Sequence, residues 1–200
     1  MREKIMNGYD WIVKYFMYFI CAAVVGWIYE VLTIMLENHH GFQNRGVLFG
    51  PYLPIYGFGM LIVMATVNPI RKMKLEKISS VSTILAFCVK FILAFIAAFV
   101  VTSLVELVAS YIISPTSWEY VENGKNNAPW FYSAKEGYTI NFQGRIALKS
   151  SLRFGIGSMF LLYGLQPLID KFSTKAKAFK IVGSVLLLVF IIDCIVTLAF

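Results

Sequence analysis

Charge is what this chain has least of. Only 14% of its 200 residues are Asp, Glu, Lys or Arg, where soluble domains carry about 25%. Cysteine and histidine are scarcer still. Cys21, Cys88 and Cys194 stand far apart inside apolar runs, without a C-x-x-C, so no disulfide framework is expected and they read as small packing residues. His39 and His40 are adjacent in a polar stretch after Glu37 and lack the i, i+4 spacing of a helix-borne zinc pair; no metal and no cofactor are expected. No G-x-x-x-x-G-K-[ST] phosphate cradle occurs, because Gly124-Lys125 has Glu119 where the first glycine would stand. A nucleophile elbow and a Ser-His constellation are missing too, so unaided ATP hydrolysis is excluded and an enzyme is the less favoured class. The M-R-E-K start resembles a signal-peptide n-region, but the apolar run Trp11–Leu36 is too long for an h-region and contains Glu30. It reads as a retained first helix.

What is present in excess is apolar surface: 58% of residues are hydrophobic and the mean hydropathy is +0.70. Several runs exceed the ~18 residues of a membrane-spanning helix. The expected fold is an all-α, polytopic integral membrane protein whose first partner is the lipid bilayer, with residues 1–200 as a single transmembrane domain. Five spans are expected, at about 11–36, 47–68, 80–113, 146–168 and 179–200, with a hydrophilic outer loop at 114–145. The first would be about 39 Å long as a straight helix, more than a hydrocarbon core of about 30 Å, so it tilts or protrudes. The third ends at Ser114-Pro115. Eleven lysines and arginines fall on the side of the N-terminus and of loops 69–79 and 169–178, and six on the other side. The positive-inside rule then gives an N-in, C-out orientation. The net charge of +7 is explained by this topology and by anionic lipid, and no nucleic-acid partner is expected.

The least ordinary stretch is Gln43–Gly59, Q-N-R-G-V-L-F-G-P-Y-L-P-I-Y-G-F-G. Gly50, Pro51, Pro54, Gly57 and Gly59 predict a kinked backbone, since the prolines remove helix donors and the glycines permit close approach. Such backbone is tolerated at membrane depth only where protein or a water-filled cavity satisfies it. A simple kinked packing helix is the alternative.

Ionisable groups inside spans cost at least ~2.5–3.5 kcal/mol each, so they mark function or structural pairing. Lys90 and Asp193 lie at comparable depth, roughly 15–21 Å from the cytoplasmic ends at 1.5 Å per residue, and form a candidate buried pair. Glu30, Asn44, Arg45, Glu106, Asn141, Arg145 and Arg153 gather by depth near the outer boundary. They form either a charge-paired scaffold or an outward-facing polar site in which the planar guanidinium forks take an anionic or lipid-linked ligand. A helix beginning near Tyr52 or Ile55 would add its positive end to that site. A weak internal echo accompanies this cluster. Glu30 precedes Q-N-R-G-V-L as Glu106 precedes N-F-Q-G-R-I-A-L, consistent with a parallel repeat or with chance.

G-W-I-Y-E (Gly26–Glu30) and N-R-G-V-L-F-G-P-Y-L-P-I-Y-G-F-G (Asn44–Gly59) resemble the family of putative ABC-transporter type IV permeases, the CmpB-like membrane proteins. Glu106, W-F-Y-S (Trp130–Ser133) and N-F-Q-G-R-I-A-L-K-S-S-L-R-F-G (Asn141–Gly155) extend the likeness over about Tyr15–Pro167. The chain departs from the family pattern at Phe131, where that pattern has Asp, and at Leu152–Gly155, where it has S-x-x-W-G. The resemblance implies a multi-pass protein of the bacterial cytoplasmic membrane with a transporter-like role. Five spans are few for a substrate pathway, so a homodimer or a partner permease would be needed, and an ATPase subunit would supply energy. The short loops 69–79 and 169–178 weigh against an ordinary ABC permease. A membrane enzyme using Glu30 or Glu106 as acid or base, and a structural or regulatory protein, are the competing readings.

Overall fold

The computed structural model describes residues 8–37, 41–46, 48–74, 82–119, 128 and 130–199. His39 and His40 lie outside these residues, as do Arg2, Lys4, Lys77 and Lys125 of the charge count. The elements in order are α1 (Gly8–Glu37), α2 (Pro54–Arg71), α3 (Thr83–Ile113), β1 (Asn141–Phe142), β2 (Ile146–Ala147), α4 (Leu148–Phe160), α5 (Gln166–Ser173) and α6 (Ala176–Ala199). A π-turn at Leu161–Leu165 joins α4 to α5 as one rod, Leu148–Ser173. The described residues are therefore all-α in five rods, apart from a two-residue antiparallel ladder pairing Asn141 with Ala147 and Phe142 with Ile146.

Four rods are long and apolar enough to cross a membrane: Gly8–Leu36, Thr83–Ile113, Leu148–Ser173 and Ala176–Ala199, with mean hydropathies of 2.1, 2.8, 1.3 and 2.8. The chain is a multi-pass membrane protein by this measure. The count differs from the five spans expected, and the difference falls on the second. Residues 48–53 of the expected span 47–68 are not helical, and α2 starts only at Pro54. Proline at a first helical position loses nothing, because that N–H has no intrahelical acceptor. The remaining 18 residues carry Asn68, Pro69 and Arg71, which dilute their hydropathy.

A second difference lies beyond 168, where a loop was expected and α5 instead runs to Ser173 across Pro167. Proline cannot donate to the ladder and crowds the preceding turn. The π-turn just upstream widens the helix and lets the chain continue, leaving only Thr174 and Lys175 before α6.

The chain forms two compact units, Met1–Leu61 with Leu161–Phe200, and Ile62–Phe160. In the first, α1 packs on α6 and α5. Gly183 makes the close approach possible, since a Cβ there would lie 2.5 Å from Val13 Cγ1. Phe16 and Phe19 stack on α1, and Phe190 of α6 meets them tilted and edge-on respectively. One end of this unit is closed by polar contacts. Tyr18 donates to Asp170 Oδ1 at 2.5 Å, Lys14 lies 3.1 Å from the same oxygen, and Lys180 pairs with Asp10 at 2.7 Å.

In the second unit α3 packs on α4. Ser82 caps α3 by accepting from Leu85 N at 3.2 Å, and Ser114 ends it before Pro115. Its buried residues are small or polar: Ala86, Ala94, Ala98, Glu106 and Ser110. Its exposed ones include Ile84, Ile92, Leu104 and Ile112, the inverse of a soluble helix and the pattern of one solvated by lipid.

Candidate functional site: a carboxylate and a tyrosine in each unit

The Gln43–Gly59 stretch folds onto α1 and α6 through its own polar groups. Asn44 Oδ1 accepts from Trp27 Nε1 at 2.7 Å and from Gly46 N at 3.2 Å, while Asn44 Nδ2 donates to Leu48 O at 3.5 Å. Leu53 N donates to the α1 carbonyl of Ala23 at 3.0 Å. The non-helical residues 48–53 are held from the other side by Asp193 of α6. Its carboxylate accepts from Gly50 N at 2.9 Å, Phe49 N at 3.2 Å, the Tyr52 hydroxyl and Thr197 Oγ1 at 3.4 Å. Backbone donors that lipid cannot satisfy are thus satisfied by one side chain. Gly50 fits under the Tyr52 ring, where a Cβ would meet ring carbon at 2.2 Å.

Glu30 completes the first cluster. Its Oε1 accepts from the Tyr56 hydroxyl at 2.5 Å. The Tyr56 ring lies over Gly26, one turn before Glu30, where a Cβ would come within 2.1 Å of it. Gly57 takes the Phe19 ring in the same manner, at 2.5 Å. Gly59, expected to share this role, meets nothing within 4 Å. Arg45 is exposed and makes no ion pair with a described residue. Pro51 is exposed and precedes Tyr52 in the loop.

The second unit repeats the carboxylate–tyrosine theme. The Tyr132 hydroxyl bonds Glu106 Oε1 of α3 and lies 2.6 Å from Ser150 Oγ of α4. Glu106 and Ser150 are both buried. Beside them Arg145 is 3% exposed, at the turn of the β1–β2 hairpin. Its Nη1 donates to Ser110 Oγ at 3.3 Å and its Nη2 to Ser114 O at 3.0 Å. The guanidinium stands 4.0 Å from the Tyr111 ring centre and 5.0 Å from that of Trp118. Its Nε has no hydrogen-bond partner among the described residues.

The turn itself needs Gly144 at φ +67°, covered by the Phe131 ring at 2.4 Å from a would-be Cβ. The residue at the departure from the family pattern is therefore a packing group here. Asn141 Oδ1 accepts from Gly144 N at 3.0 Å, and Trp130 Nε1 donates to Arg145 O at 2.9 Å. Arg153 is half-buried on α4 and engaged within the fold.

Of the residues singled out from sequence, the first unit holds Glu30, Asn44, Arg45, the glycines and prolines of 50–59, and Asp193. The second holds Lys90, Glu106, Asn141, Arg145 and Arg153. Asp193 takes its donors from Phe49, Gly50, Tyr52 and Thr197; Lys90 is half-buried on α3. No cluster of three metal-ligating side chains occurs among the described residues. Chemically, both glutamates are positioned as hydrogen-bond acceptors of a phenol, and Arg145 as a buried cation whose donors turn inward.

The residues missed from sequence are the partners: Tyr52, Tyr56, Tyr132, Ser110, Tyr111 and Trp118. One signal was available, because Tyr56 follows Glu30 by 26 residues and Tyr132 follows Glu106 by the same 26.

Four apolar rods, irregular backbone capped by an intramembrane carboxylate, and charges turned into the fold define a multi-pass α-helical membrane protein. The chain belongs to the family described as Putative ABC-transporter type IV, whose model matches residues 17–198. That range contains both carboxylate–tyrosine clusters. No match was found among curated proteins or among solved structures.

Proposed function

We propose that this protein is the permease-like membrane subunit of a bacterial transporter, N-in and C-out in the cytoplasmic membrane, drawing energy from a separate ATPase. The observation that carries the reading is the family match over residues 17–198. The missing phosphate cradle supports a separate energy source, and the excess of lysine and arginine on one side supports the orientation. With four long spans and the shorter α2, a second copy or a partner permease would complete the pathway. The outward polar site for an anionic or lipid-linked ligand would be drawn from Glu30, Asn44 and Arg45 in one unit, or from Glu106, Asn141, Arg145 and Arg153 in the other. Among these Arg45 is the cation best placed to meet a ligand, being exposed on its loop.

A second reading has its own observation. The burial of Arg145 between Tyr111 and Trp118, with Ser110 and Ser114 taking its donors, favours a scaffold role for the charges of the second unit. Glutamine at Glu30 or Glu106 separates the readings. A ligand site predicts lost transport with normal folded yield, and a scaffold predicts that both fall together. Affinity purification from native membrane tests the transporter assignment itself: a stoichiometric ATPase is expected, and its absence under mild solubilisation would remove the reading.

A further inference from the structure

The second unit carries an open groove of about 380 Å³, lined by residues 137–140 of the loop and by α4. Its walls are apolar: Ile140, Leu148, Leu152 and Ile156, all exposed. The last three lie at i, i+4 and i+8 and so form one stripe of α4. Lys149 and Arg153, also four residues apart, add two cations to the same lining. Lys149 is exposed and its Nζ stands 5.2 Å from the Tyr138 ring centre. Arg153 is engaged within the fold, so Lys149 is the cation with most freedom to meet a ligand.

Both cations fall in the first two turns of the candidate span Leu148–Ser173. The end of a membrane helix lies where headgroups lie, and basic residues there attract anionic lipid. A soluble anion would use the cations and leave the apolar stripe idle. A zwitterionic lipid such as phosphatidylcholine would use the stripe but bring a cation of its own beside Lys149 and Arg153, cancelling the attraction that an anionic lipid keeps.

From this geometry we infer that the groove binds one anionic glycerophospholipid, its phosphodiester at Lys149 and Arg153 and an acyl chain along Leu148, Leu152 and Ile156. The inference is independent of the transport reading, since a scaffold protein would bind the lipid equally well. The purified full chain is examined by native mass spectrometry with phosphatidylglycerol or phosphatidylcholine added, and again with excess inorganic phosphate. One phosphatidylglycerol should be retained in preference to phosphatidylcholine. Lys149→Gln should weaken it about fivefold, the effect of one basic residue at an anionic surface. Ile156→Trp, which fills the groove and keeps its charge, should weaken it without changing the melting temperature. Equal retention of the two lipids overturns the inference, as does unaltered binding in either variant. Displacement of the lipid by inorganic phosphate also overturns it, because the acyl chain would then contribute nothing.

Discussion

Replacing Arg145 with alanine should unfold the second unit more readily rather than merely disable a binding site. The substitution removes charge-assisted bonds to Ser110 Oγ and Ser114 O, and two aromatic contacts at 4.0 and 5.0 Å. Hydrogen bonds to a charged group contribute about 1.5–3 kcal/mol each. Burial of the cation opposes this with a desolvation cost of several kcal/mol, so the net contribution is smaller than the gross one. Truncation nevertheless strands the Ser110 hydroxyl oxygen and the Ser114 carbonyl and opens a cavity between two rings; each buried acceptor left unsatisfied costs about 1–3 kcal/mol, so the two together cost about 2–6 kcal/mol. For a chain of this size each kcal/mol lowers the melting temperature by about 2–4 °C. Arg145→Ala should therefore melt roughly 4–24 °C below the parent, measured by fluorescence-detected size exclusion after heating in detergent. Arg145→Met, which fills the space and removes the charge, should recover much of that loss. A melting temperature for Arg145→Ala within about 2 °C of the parent would refute the reasoning, because a side chain 3% exposed cannot then be holding the hairpin.

Asp193→Ala should destabilise the first unit by about 2–5 kcal/mol, since it strands the N–H groups of Phe49 and Gly50 at once. Tyr52→Phe removes one of the same contacts and should cost less, a ranking read from paired melting curves. Gly26→Leu should abolish folded yield, because the Tyr56 ring occupies the space a side chain needs; Gly59→Ala, with open space around it, should be tolerated. Arg45→Glu should leave the melting temperature within about 2 °C, as expected for an exposed charge with no ion pair among the described residues. Attachment of a membrane-impermeant thiol reagent to single cysteines placed in loop 114–119 and at residues 72–74 should label the first only, and the reverse pattern would invert the orientation.

The membrane class was legible because composition alone excludes a soluble core. The end of α3 was legible from Ser114-Pro115, where sterics and a lost donor act within two residues. The Pro51 and Pro54 pair marked an irregular backbone in the same local way. What it did not reveal was the partner, because Asp193 reaches Gly50 across 143 residues and no local pattern encodes that contact. Charges in a membrane suggest charges as partners. Backbone N–H groups and a phenol meet Asp193, and a phenol meets each of Glu30 and Glu106; tyrosine gives no comparable signal in an apolar sequence. The continuation of α5 to Ser173 across Pro167 was not legible for a related reason: the effect of a proline on a helix is read locally, and the π-turn just upstream accommodates it. The equal spacing of Glu30–Tyr56 and Glu106–Tyr132 was open to inspection, but becomes visible only once the tyrosines are known to matter.

The proposed permease-like subunit has no ATPase of its own and must work with one. Isolation of the tagged chain from its native membrane, with and without prior cross-linking, tests this directly. A nucleotide-binding partner in fixed ratio to the chain is expected, with ATP hydrolysis in the complex and none in the chain alone. A chain recovered without such a partner under both conditions would contradict it.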